Sequence, residues 1–246
     1  MKNKFLNSNE LKIIACIFMF IDHLGYFFFP DNEILRIIGR LAMPLFALFI
    51  AEGAYYTKNK IAYLANILLL GLIISSVTFA ATKEINIDIL VSFSLSLILI
   101  FIKDEIVDSI YFKIKNKTII YSIILSIYLS SLLTLMHFFY FEYQLFAILI
   151  PLGLSFTNSK YKIINENKKK LIKFLVFMLT YSLCMILSNF IYKINTSLNI
   201  QAYGYLNGLF ILLYNNKRGK YNLKYLFYIF YPAHVLVMYA ILYITK

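Results

Sequence analysis

The chain has 246 residues, of which 61% are hydrophobic and 15% charged, with 24 basic against 12 acidic residues for a net charge of +12. Its mean hydropathy of +0.74 lies far outside the balance of a soluble globular domain and predicts an integral membrane protein. The net charge by itself would suit a nucleic-acid binder, but its distribution argues against nucleic acid, because the basic residues gather in alternate gaps between apolar runs.

In chain order the apolar runs predict helices near 11–30, 34–56, 61–81, 86–102, 118–136, 140–157, 171–192, 200–215 and 224–243, each close to the ~20 residues a hydrocarbon core requires. The expected fold is therefore an all-α polytopic membrane bundle of about nine transmembrane helices, with residues 1–246 forming one integral-membrane domain in the cell membrane. Nineteen of the 24 basic residues fall on one side: Lys2, Lys4 and Lys12; Lys58 and Lys60; Lys103, Lys113, Lys115 and Lys117; Lys160, Lys162, Lys168, Lys169, Lys170 and Lys173; Lys217, Arg218, Lys220 and Lys224. Opposite them stand Arg36, Lys83, Lys193 and Lys246, with Arg40 inside a run. An excess of lysine and arginine marks the cytoplasmic side, which predicts the N-terminus inside and the C-terminus outside. The first run holds Asp22 and His23 and lacks a small-residue cleavage pattern, so it reads as a retained helix rather than a signal peptide.

Ionisable groups inside apolar runs are costly, and they are normally shielded, paired and functional. They are Asp22 and His23 in the first run, Arg40 and Glu52 in the second, and His234 in the last. At ~1.5 Å per residue, His23 lies ~17 Å and His234 ~15 Å above the cytoplasmic start of their runs, and Arg40 reaches ~20 Å. Neighbouring residues on a helix point ~100° apart, so Asp22 and His23 need different partners. Either Asp22 pairs with Arg40 while His23 faces the reaction cavity, or Asp22 orients His234 as an acid holds an imidazole. Pro44 is expected to kink the second run and Pro232 to open the backbone beside His234, where the Tyr231 hydroxyl also needs a partner.

Cys16 and Cys184 lack metal-ligand spacing and read as apolar packing, so no metal is expected. Phosphate-loop, dinucleotide, zinc-protease and nucleophile-elbow motifs are missing. The chemistry left is proton transfer by histidine in a dry cavity.

Leu11-Lys12-Ile13-Ile14-Ala15, Met19 and Ile21-Asp22-His23-Leu24-Gly25 resemble the opening of the TraX family of membrane acetyltransferases, known from acetylation of conjugative pilin. Leu35-Arg36-Ile37-Ile38-Gly39-Arg40, Pro44-Leu45-Phe46-Ala47, and Ala51-Glu52-Gly53 with Thr57 are similar to its second-helix signature. Leu213-Tyr214-Asn215 and Tyr228-Ile229-Phe230-Tyr231-Pro232-Ala233-His234 resemble its ending. The resemblance implies acetyl-CoA as co-substrate and the N-terminal amine of a small peptide or pilin-like subunit as acceptor. A similar plan in multi-span sugar acetyltransferases makes a cell-envelope glycan the alternative acceptor, and a small-molecule transporter is the alternative from another class. The catalytic candidates are His23 as general base, Asp22, His234 and Arg40. Glu52, Tyr231, Lys58, Lys60 and Arg218 are the candidates for substrate binding, the cations by attracting the phosphates of the donor.

Overall fold

The structure is a computed structural model that describes residues 5–158, 165–192, 200–221 and 223–245. Lys2, Lys4, Lys160, Lys162, Lys193 and Lys246 lie outside the described residues, as does the side chain of Lys224. The elements are α1 (Ser8–Phe28), α2 (Glu33–Gly39), α3 (Ala42–Tyr56), α4 (Lys60–Thr82), β1 (Asn86–Ile87), α5 (Ile89–Tyr111), α6 (Lys115–Phe138), β2 (Tyr140–Phe141), α7 (Gln144–Ser155), α8 (Glu166–Tyr192), a 3-10 segment (Ile200–Leu206), α9 (Asn207–Leu213) and α10 (Lys224–Thr245).

Each of the nine expected runs is helical over most of its length, but their lengths differ from the expectation. Among the described residues five helices are long and apolar enough to cross a bilayer: Ser8–Phe28, Glu33–Tyr56 taken through its break, Lys60–Thr82, Lys115–Phe138 and Lys168–Ile191. Gln144–Ser155, Ile200–Leu213 and Tyr228–Ile244 are shorter apolar helices. A helix of 12 residues such as α7 rises only ~18 Å against the ~30 Å of a hydrocarbon core. The chain is a multi-pass membrane protein.

Local chemistry sets the boundaries. Asn7 and Glu10 form a capping box: the Asn7 side chain accepts from the amides of Asn9 at 2.9 Å and Glu10 at 3.1 Å, and the Glu10 carboxylate accepts from the Asn7 amide at 2.8 Å. That starts α1 at Ser8 rather than near residue 11. The break in the second run falls at Arg40–Leu41, just before Pro44, which sits in the first turn of α3 where its missing donor costs nothing.

The described chain divides into two compact units, residues 1–49 with 156–246 and residues 50–155. In the first, α1 packs on α2 and α10, the 3-10 segment touches α2, and α8 packs on α9. Leu11, Ala15, Met19 and Asp22 form the buried stripe of α1, while Ile13, Ile17 and Phe20 are exposed as a lipid-facing helix requires. α1 and α2 approach closely because both carry glycine: a Cβ on Gly39 would collide with the Asp22 carboxyl, and one on Gly25 would lie 2.9 Å from Leu35 Cβ.

In the second unit α5 is central, packed against α4, α6 and α7. Phe93, Leu97 and Ile100 are buried on it, and the Ser96 hydroxyl donates to the Ile148 carbonyl at 2.7 Å. β1 and β2 pair in parallel, Asn86 with Tyr140 and Ile87 with Phe141, tying the α4–α5 connection to the α6–α7 connection.

A Cβ on Gly71 would lie 2.7 Å from the Val91 backbone nitrogen, and backbone cannot yield as a side chain can. Gly71→Val is expected to lower stability by about 1–3 kcal/mol, read as a drop in thermal unfolding temperature in detergent. An unchanged temperature would contradict the close α4–α5 packing.

Candidate functional site

Asp22 and His23 are consecutive on α1 and turn to different helices. Asp22 faces α2 and is buried. Its two carboxylate oxygens lie 2.8 and 3.0 Å from Arg40 Nη2, and Oδ1 lies 3.0 Å from Arg36 Nη1. Arg36 Nη1 also donates to the Asp22 backbone carbonyl at 3.0 Å. One carboxylate therefore serves two guanidiniums four residues apart, Arg36 on α2 and Arg40 at its C-cap, which gives it the charge-assisted donors a buried carboxylate requires. Arg40 Nε reaches the Arg36 carbonyl at 3.4 Å, and the Arg36 guanidinium lies 5.3 Å from the Tyr26 ring centroid.

His23 turns to α10. Its Nδ1 is 2.7 Å from His234 Nε2, with ring centroids 4.8 Å apart and planes inclined by 16°. A nitrogen-to-nitrogen contact that short at that centroid spacing means two nearly coplanar rings meeting edge to edge, not face to face. His234 Nδ1 lies 2.8 Å from the Phe230 carbonyl oxygen one turn back on α10.

These two contacts set the tautomers. A carbonyl oxygen only accepts, so His234 Nδ1 carries the proton, and in the neutral ring Nε2 is then bare. Nε2 accepts from His23 Nδ1–H, which leaves the lone pair of a neutral His23 on Nε2. The chain carbonyl → His234 → His23 thus fixes which nitrogen of a neutral His23 keeps its lone pair. Phe27 lies 6.0 Å from the His23 ring, and Phe230 and Tyr231 lie 5.0 and 5.6 Å from His234, Tyr231 edge-on.

Of the two arrangements open to Asp22, the carboxylate is on Arg40, and the Phe230 carbonyl holds His234 instead. The structure brings together Asp22, Arg40, His23, His234 and Tyr231. Glu52, Lys58 and Lys60 belong to the second unit: Glu52 is buried on α3, Lys58 is exposed, and Lys60 lies 3.9 Å from the Glu105 carboxylate and 5.2 Å from the Phe101 ring centroid. Arg218 is exposed in the α9–α10 connection. Arg36 is the residue that sequence reasoning placed elsewhere, among the cations of the outer surface. Its signal was the four-residue spacing to Arg40, which puts both on one helix face.

Asp22→Asn leaves two guanidiniums facing a neutral amide. Because both arginines keep part of their surface exposed, the expected loss is at or below ~3 kcal/mol, the low end for breaking a buried pair. Arg36→Gln, which retains the Arg40 contact, should lose less. Thermal unfolding in detergent reads both, and equal stability of Asp22→Asn and the parent chain would contradict the pairing.

Comparison with known proteins adds to this geometry. A family model described as TraX protein matches residues 7–242. The chain is 37% identical over 76 residues to the probable fimbrial assembly protein FimC, serogroup H1, of Dichelobacter nodosus, covering 29% of this chain and 31% of that protein. It is 39% identical over 83 residues to an uncharacterized protein of Rickettsia prowazekii (strain Madrid E), covering 34% of this chain and 32% of that protein. The matched stretch thus spans about a third of the length of each of these curated relatives. No solved structure matches. With the family model spanning nearly its whole length, the chain belongs to the TraX family.

Proposed function

We propose that this protein transfers an acetyl group from cytoplasmic acetyl-CoA to the N-terminal amine of a pilin-like or other small peptide, with His23 Nε2 as the general base. The observation that carries the reading is the His23–His234–Phe230 chain, which holds a lone pair on one defined nitrogen within an apolar helix. Membership of the TraX family and the fimbrial name of the Dichelobacter relative support a pilin-type acceptor. The orientation that supports it has the lysine-rich gaps on the cytoplasmic side, so donor and acceptor approach from opposite faces.

The geometry supports the following roles. The acceptor amine attacks the thioester carbonyl only when it is neutral, and His23 Nε2 removes its proton as the new nitrogen–carbon bond forms. The positive charge left on His23 is shared through Nδ1–H with His234 Nε2, so no isolated imidazolium stands in the apolar bundle. The departing thiolate leaves as the carbon–sulfur bond breaks, and it takes up the proton that His23 gained. Asp22 and Arg40 are positioning residues: they hold α1 against α2 at the rotation that presents His23 to α10. Tyr231, edge-on to His234, supplies a hydroxyl for substrate binding.

Purified protein in detergent, radiolabelled acetyl-CoA and a short peptide with a free N-terminus test this. His23→Ala is expected to lower kcat by ~10²- to 10⁴-fold while the protein stays folded, and His234→Gln should cost less. Full turnover by His23→Ala would remove it from the chemistry. Label on amino sugars but not on peptides would move the acceptor to a cell-envelope glycan, and substrate uptake without acyl transfer would favour transport.

A further inference from the structure

Lys173, on α8 one turn after Lys169, is 1% exposed. Its Nζ donates to Asn216 Oδ1 at 2.6 Å and lies 5.2 Å from the Tyr214 ring centroid. An ammonium only donates, so Asn216 must turn its oxygen to Lys173 and its Nδ2 away. That Nδ2 is buried and, among the described residues, has no hydrogen-bond partner. A buried donor without an acceptor is destabilising, so its persistence beside a buried cation calls for an acceptor that arrives from outside the chain.

The connection that carries Asn216 is a built loop. Leu6 and Tyr214 form a parallel bridge, the amides of Leu6 and Asn215 donate to the carbonyls of Leu213 and Leu6 at 2.9 Å, and the Ser8 amide donates to the Lys217 carbonyl at 2.9 Å. Asn9 Nδ2 donates to the Tyr221 carbonyl at 2.7 Å, and Gly219 lies so close to Asn9 that a Cβ there would be 2.5 Å from its side chain. Asn216 itself takes a positive φ of 56°, the left-handed conformation that asparagine tolerates better than most residues. Lys217, Arg218 and Lys220 follow on the same loop.

We propose that this loop is a phosphate-binding site, with Lys173 Nζ and Asn216 Nδ2 as its inner donors and Lys217, Arg218 and Lys220 around its mouth. A water or a carbonyl would satisfy one amide, but the adjoining ammonium and three further cations raise the local positive potential, and they select an anion. The acetyltransferase reading names the occupant as the diphosphate of the donor's nucleotide; this identity rests on that reading, and the phosphate chemistry does not. The same chemistry is also offered by the headgroup of an anionic lipid.

The test uses the whole protein in phosphatidylcholine nanodiscs, with ADP and inorganic pyrophosphate as probes in titration calorimetry. Asn216→Asp is the informative variant: a carboxylate there keeps Lys173 and the loop pinned, and removes the orphan donor and repels phosphate. The parent chain is expected to bind ADP with an affinity that falls as salt rises, and Asn216→Asp to lose ~10-fold or more at unchanged unfolding temperature. A parent chain that ignores both probes but is stabilised by phosphatidylglycerol in the discs, with the stabilisation lost in Asn216→Asp, assigns the site to lipid. Equal binding by the two proteins, or no response to either source, overturns the site. Binding is read without acetyl transfer and transfer without binding, so failure of one reading is distinguishable from failure of the other.

Discussion

One buried carboxylate organises the first unit. In the low dielectric of a membrane helix Asp22 is tolerable only with donors around it, and α2 with its C-cap residue Arg40 supplies two guanidiniums four residues apart. That requirement fixes the distance between α1 and α2, which glycine at residues 25 and 39 permits. It also fixes the rotation of α1 about its own axis, because the carboxylate must face α2. A helix with Asp22 turned away would place an unpaired charge against lipid.

Once α1 is locked at that rotation, His23 has no choice of direction. The ~100° step between adjacent residues carries it to α10, where His234 receives it at 2.7 Å. His234 is itself held by a main-chain carbonyl of its own helix, a partner that side-chain mutation or rotamer change does not easily remove. The charge cluster and the imidazole pair are thus two consequences of one helix orientation, and the tautomer of His23 is set by backbone four residues before His234. The site is a stack of constraints in which each group is oriented by the one behind it, the preorganisation that the proposed acetyl transfer calls for.

Much of this was legible in the sequence because hydropathy and helical periodicity report directly on the physics of a bilayer. All nine apolar runs are helical, and the depth of Asp22, His23, Arg40 and His234 pointed to one region. Span lengths were less legible, since hydropathy measures how apolar a stretch is and not where its helix begins. The stretch 140–157 loses its first residues to the β1–β2 pairing and to positive φ at Tyr143 and Gln144, and 200–215 opens with seven residues of 3-10 helix. Arg36 was hidden because a lone arginine near a helix end looks like a topology signal, and only the partner at Asp22 distinguishes the two. The choice between Arg40 and His234 as the partner of Asp22 depended on helix neighbours, which no local pattern encodes. Lys173 was hidden for the same reason as Arg36: in a run of lysines that reads as a topology signal, nothing marks the one whose ammonium is buried.

The Phe230 carbonyl, acting through His234, leaves the lone pair of a neutral His23 on Nε2. Nitrogen NMR of histidine-labelled protein in nanodiscs, in a His137→Ala background to leave only the two coupled rings, measures this directly. The expected result at neutral pH is a His23 ring protonated at Nδ1 and bare at Nε2, a His234 ring protonated at Nδ1, and a coupling across the hydrogen bond between His23 Nδ1 and His234 Nε2. A His23 protonated at Nε2, with no coupling between the rings, would contradict it.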